Sequence, residues 1–98
     1  MASRTISGTA EELIPQNRLR KSFVVQNEDT TIDVFVKRER PGSTTVSTTD
    51  HDHRVARESA LALNSDTDGT EAIQDRWTVV AASGTPRISL FETEDIKR

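Results

Sequence analysis

Large apolar side chains recur at every second position through most of the chain, the pattern of strands that bury one face. Phe23 and Val25 share a face opposite Ser22, Val24 and Gln26. Ile32, Val34 and Val36 alternate with Asp33, Phe35 and Lys37; Leu61 and Leu63 alternate with Ala60, Ala62 and Asn64. Trp77 and Val79 align with Ala81, and Ile88 and Leu90 with each other against Arg87, Ser89 and Phe91. A weaker strand, Glu11 to Ile14, is ended by Pro15. Helical spacing fits none of these. The best helix candidate runs from Asp52 to Leu63, with Val55, Leu61 and several alanines as a weak stripe, but a loop leading into a strand is the preferred reading there.

Turn residues divide the strands. Asn27-Glu-Asp-Thr30 is a polar corner, Arg40-Pro-Gly-Ser43 opens a loop, Ser65-Asp-Thr-Asp-Gly69 closes an expected hairpin, and Gly84-Thr85-Pro86 joins the last two segments. These signals predict an all-β, antiparallel sandwich or jelly-roll-like domain of seven to eight short strands. The stretch from Pro41 to Glu58, rich in Ser, Thr, Asp and His, is expected to be a long polar surface loop burying little of itself. Residues 1–12 are expected to form an N-terminal arm that lies across a neighbour and whose removal leaves the fold intact. Residues 13–98 then form the single domain.

Composition narrows the function classes. The chain has 98 residues, enough for one domain, with 33% hydrophobic, 4% aromatic and 30% charged residues. A formal net charge of −3 argues against general nucleic-acid binding, which needs a basic surface to displace counterions. With no cysteine, disulfides, thiolate metal sites and cysteine nucleophiles are excluded. No apolar stretch approaches a signal-peptide core or a membrane span, so a soluble protein made in the cytoplasm is expected.

Three constellations could carry chemistry. Asn64-Ser-Asp66-Thr-Asp68-Gly69, followed by Asp75, spaces oxygen ligands almost as a calcium loop does, but lacks the flanking helices and closing Glu. A turn in which the Asp side chains accept from nearby backbone N–H groups and Gly69 takes positive φ is preferred. Asp50-His51-Asp52-His53 would need both imidazoles on one strand face plus a third ligand to hold zinc or nickel; a solvated loop, or a pH-sensitive contact with a neighbour, fits as well. Serines are many, yet none sits in a Gly-x-Ser-x-Gly elbow, and the four glycines stand too far apart for a phosphate cradle. No enzyme activity, metal or cofactor is therefore expected. Two basic clusters remain: Arg18, Arg20 and Lys21, then Lys37, Arg38 and Arg40. If the strands they flank form a hairpin, both lie at one end of the sandwich, as solvated charge or as a docking face for acidic residues on a larger partner.

The strand Arg20–Glu28 with its Gln26-Asn27 corner, the Val34-Phe-Val36 strand, and the closing Ala81-Ala-Ser-Gly-Thr-Pro-Arg-Ile-Ser-Leu-Phe-Glu92 run together resemble the capsid decoration (head auxiliary, or cement) proteins of tailed bacteriophages. The resemblance covers roughly Ile14 to Glu92. It implies a non-enzymatic β-sandwich that binds the outside of a phage head, contacts the major capsid protein, cements neighbouring capsomers and commonly assembles as a homotrimer. It implies location on the outer capsid surface of the virion after synthesis in the host cytoplasm, and no nucleic-acid or membrane partner. Docking then falls to Arg18, Arg20, Lys21, Arg38 and Arg40. A carbohydrate- or host-binding module of a head fibre or tail appendage is the alternative, with Phe35 or Phe91 as its aromatic platform. A small metal-dependent enzyme using His51 and His53 is a further one.

Overall fold

A computed structural model describes residues 2–94 of the chain. It contains eight strands: β1 Ala2–Thr5, β2 Glu11–Ile14, β3 Arg20–Asn27, β4 Val34–Arg38, β5 His53–Val55, β6 Ala60–Asn64, β7 Trp77–Ala81 and β8 Arg87–Glu94. Two short helices, α1 Ser65–Asp68 and α2 Thr70–Gln74, lie between β6 and β7. The strands form two antiparallel four-stranded sheets, ordered β1-β8-β3-β6 and β2-β7-β4-β5. First pairs with last, β2 with β7, β3 with β6, and β4 with β5. That nesting is a hairpin ribbon wrapped around itself, the topology of a jelly roll.

The alternation read from the sequence sorts side chains onto the expected faces. Phe23, Val25, Leu63 and Ile88 from one sheet meet Val34, Val36, Trp77, Val79 and Ala81 from the other, all buried. Trp77 contacts the Phe23 ring edge-on at 5.4 Å between centroids, a favoured aromatic geometry. Its indole N–H donates to the Ala72 carbonyl at 2.8 Å, so the polar end of the ring is satisfied. Both Leu13 and Ile14 reach the core, although adjacent strand residues normally face opposite ways. The cause is a register shift between Glu12 and Ile14, a bulge that turns the strand by one residue.

Several connections differ from expectation. Gln26-Asn27 and Gly84-Thr85-Pro86 do not close hairpins: β3 and β8 belong to one sheet, β4 and β7 to the other, so both turns carry the chain across the sandwich. Apart from β4 to β5, every consecutive pair of strands changes sheet in this way. Gly84 takes φ of +57° in its crossing, and a Cβ there would come within 2.9 Å of Ile32 Cδ1 in the opposing corner. Residues 65–69 are not a hairpin turn either. Asn64 caps α1 by accepting from the Asp66 and Thr67 N–H groups at 3.0 Å, while Asp68 accepts from the Asn64 N–H, a reciprocal cap that starts a helix. The span from Asp52 to Leu63 forms β5, a turn and β6, in line with the non-helical reading.

The expected arm is also part of the fold. Within residues 1–12, β1 pairs with β8 and Glu11 and Glu12 pair with β7, while Ile6 between them is fully buried. Met1 of that arm and residues 95–98 of the expected domain lie outside the described residues. The polar middle loop buries more than its composition suggests. Val46 is 4% exposed and packs with Phe35, Val80 and Ala10. It thus covers the outer face of the β2-β7-β4-β5 sheet and gives that sheet a second apolar layer. Lys37 holds the loop through Thr44 Oγ1 (2.6 Å) and Asp50 (2.8 Å).

Candidate docking surface

The turn before β3 is built by Asn17. Its side-chain oxygen accepts from the Leu19 N–H at 2.9 Å, and its carbonyl accepts from the Arg20 N–H at 3.1 Å. Helix α2 braces the turn from below: Asn17 N–H donates to the Gln74 carbonyl, and Gln74 Nε2 donates to the Arg18 carbonyl at 2.7 Å. So constrained, the turn presents Arg18 and Leu19 to solvent, with Lys21 exposed just beyond. Leu19 is 56% exposed, an apolar side chain between Arg18 and the buried Arg20 in sequence and sharing a cleft with Lys21.

Arg20 goes the other way. It is 1% exposed, and its guanidinium donates to Glu92 (2.7 Å) and to the carbonyls of Ile73 (2.8 Å), Asp75 (3.1 Å) and Pro15 (2.5 Å). One side chain therefore ties β8, the end of α2 and the end of β2 together. Named from sequence among the docking residues, it is instead spent within the fold. The physical reason is that β3 begins at Arg20, whose alternation partner Ser22 is half-buried under Thr93 while a register shift between 20 and 22 turns the arginine inward.

Arg38 is half-buried and salt-bridged to Asp75 at 2.5 Å. Arg40 is exposed, at the start of a turn closed by the Ser43 N–H donating to its carbonyl at 2.9 Å, with Gly42 at φ of +81°. The two basic clusters do meet at one end of the molecule, although the strands between them are not a hairpin. Arg18, Arg38 and Arg40 line one open cleft with Gln16, Glu71 and Asp75. Arg18, Leu19 and Lys21 line the next, with Asp66, Thr70 and Gln74. Arg18, Lys21 and Arg40 have no ion-pair partner among the described residues. Carboxylates at Asp66 and Glu71 make the surface mixed rather than uniformly positive.

The other constellations are engaged in structure. The oxygens of Asn64 and Asp68 cap α1, and Asp75 faces Arg38. His51 packs on Phe35 at 4.5 Å on the outer face, whereas His53 stacks on Trp77 at 6.0 Å on the inner one. The two imidazoles do not share a face. Among the described residues no three of His, Asp and Glu come together in a way that could hold a metal, and no helix is long and apolar enough to cross a membrane. Of the two aromatic platforms, Phe35 is covered and Phe91 is 51% exposed.

Two residues of the polar corner at the other end of β3 hold the loops there. Asn27, 1% exposed, donates to the carbonyls of Ile32 (2.8 Å) and Val55 (3.1 Å) and accepts from the Asp29 N–H. The Asp29 carboxylate accepts from the Thr31 and Ile32 N–H groups, and the Thr31 bond first of all lowers its pKa below the usual carboxylate value. The Lys37 hydrogen bond does the same for Asp50. Compared with protein-family models, curated proteins and solved structures, the chain matches none.

Proposed function

We propose that this jelly roll is a structural, non-catalytic module that binds the outer surface of a tailed-phage capsid as a homotrimer and ties neighbouring capsomers together. The observation that carries the proposal is Leu19, 56% exposed on a braced turn, sharing one cleft with Arg18 and Lys21 while Arg18 and Arg40 line another. An apolar anchor within a rim of cations is how a docking surface combines desolvation with steering toward an acidic partner. Support also comes from the Arg20–Glu28, Val34–Val36 and Ala81–Glu92 stretches, which resemble those of capsid decoration proteins. The jelly roll itself is permissive only, since capsid, lectin and enzyme domains all use it. Arg20 and Arg38 belong to the frame that positions the turn; Arg18, Leu19, Lys21 and Arg40 would make the contact with the major capsid protein.

The test is co-sedimentation with expanded phage heads at low and high salt. Replacing Leu19, Arg18, Lys21 and Arg40 together by Ala should weaken binding by at least about tenfold, a loss of roughly 1.4 kcal/mol, and wild-type binding should weaken with salt. Equal binding by both proteins at both salt concentrations would contradict the docking assignment. The exposed Phe91 favours one second reading, a carbohydrate-binding appendage, which saturable binding of a glycan lost in Phe91→Ala would support.

A further inference from the structure

Four strands form the sheet edges, and three of them carry protection against pairing with another chain. β1 bears Arg4, β2 bears Glu11 and Glu12, and β5 is three residues long with His53 and Arg54. Short strands and charged side chains are how proteins blunt an open edge. β6, Ala60-Leu-Ala-Leu-Asn64, has neither charge nor proline, and no bulge interrupts its pairing with β3.

The open side of β6 can be read from its hydrogen bonds. The Asn27 N–H donates to the Ser59 carbonyl at 2.8 Å. Antiparallel alternation then turns the N–H and C=O groups of Leu61 and Leu63 toward β3, and those of Ala60, Ala62 and Asn64 away from it. The Asn64 N–H obeys this rule, since it bonds Asp68 outside the sheet. Ala60 and Ala62 are exposed and have the smallest side chains that keep a strand, so nothing bulky screens their backbone. The residues aligned beside them are themselves uncharged, although Glu28 accepts from Ser89 further along the face. Ala62 aligns with Val24 and Phe91 across the sheet, and Ala60 with Gln26 and Ser89.

Charges at the two ends of β6 select the partner. Exposed Arg57 precedes the strand, with Glu58 next to it, and exposed Asp66 and Asp68 follow it; Arg57, Asp66 and Asp68 form no ion pair among the described residues. A strand of the same sequence laid antiparallel brings Arg57 of each copy toward the acidic turn of the other. Parallel alignment would set acid against acid.

We propose that β6 pairs antiparallel with β6 of a second copy about a two-fold axis at Leu61, joining two four-stranded sheets into one. Ala60 of each copy lies opposite Ala62 of the other and exchanges N–H···O bonds with it, an isologous contact that closes after two copies. Such a contact links copies from neighbouring trimers rather than building the trimer, so it stands or falls separately from capsid docking.

The chain has no cysteine, so Leu61→Cys introduces a single thiol. In the proposed register residue 61 faces itself as a non-hydrogen-bonded pair, with Cα atoms about 4.5 Å apart, inside disulfide range. Under mild oxidation the free protein should form a disulfide-linked dimer at least about tenfold faster than a Thr48→Cys control on the far loop, and adding Ala62→Lys should remove that advantage. Cross-linking no faster than the control, or indifferent to Ala62→Lys, would overturn the pairing. Sedimentation of the cysteine-free chain reads the same contact without touching Leu61: association that Ala62→Lys lowers by a factor of two in mass supports it, and identical mass for the two proteins at every concentration overturns it.

Discussion

Individual side chains decide how this small domain closes. Trp77 is 3% exposed, meets Phe23 edge-on and stacks under His53, so it joins both sheets and the edge strand β5. Trp77→Ala should destabilise by about 3–5 kcal/mol, a large part of the roughly 5–15 kcal/mol a domain has; a urea midpoint close to wild type would show that the ring is dispensable. Arg20 is the polar counterpart. Lysine has the charge but not the planar fork that serves Glu92 and three carbonyls at once. Arg20→Lys should therefore cost about 1–3 kcal/mol by leaving buried carbonyls unpaired, and a thermal scan matching wild type would contradict that role. The sequence marked Trp77 as a core residue because it begins an alternating strand. It could not mark Arg20, because an inward arginine and a solvated one differ only in the register shift beside them.

At the scale of elements, most strands were legible, but β1 in the expected arm, β5 in the expected loop and the connections were not. Period-two alternation at Phe23/Val25, Leu61/Leu63 and Ile88/Leu90 follows from one-sided burial and needs no knowledge of the partner strand. A turn signal such as Gly84-Thr85-Pro86 reports that the chain reverses, and is silent on whether it returns in the same sheet or crosses to the other. The helices were hidden for a related reason: Asn64-Ser-Asp-Thr-Asp68 serves equally as a turn or as a capped first helical turn. Loop order also has a pH dependence. Hydrogen bonds from Thr31 and Ile32 to Asp29, and from Lys37 to Asp50, hold both carboxyls below the ordinary value of 3.8. Their stabilisation is complete at neutral pH, begins to decline as the unfolded chain protonates near that value, and is lost once pH falls through the folded values. Asp29→Asn with Asp50→Asn should lower stability at pH 7 and flatten its fall below about pH 4. Urea midpoints across that range with the same slope as wild type would contradict the assignment.

The whole molecule is a jelly roll whose two outer faces differ. One is covered by the Val46 loop; the other lies open from Phe91 through Val24 to Ala62. Arg18, Leu19, Lys21 and Arg40 gather at one end because β2 turns into β3, β4 runs out and α2 closes there, an arrangement fixed by topology. Of the five cations named from sequence, Arg18, Lys21 and Arg40 are exposed at that end, while Arg20 and Arg38 are tied into the frame behind it. The central claim is that this end faces a capsid shell. A cryo-EM map of the decorated phage head tests it most directly. The account predicts that the Arg18-Leu19 turn, Lys21 and Arg40 face the major capsid protein with Leu19 buried against it. A map in which that end points to solvent, or in which the protein is absent from the head, would contradict it.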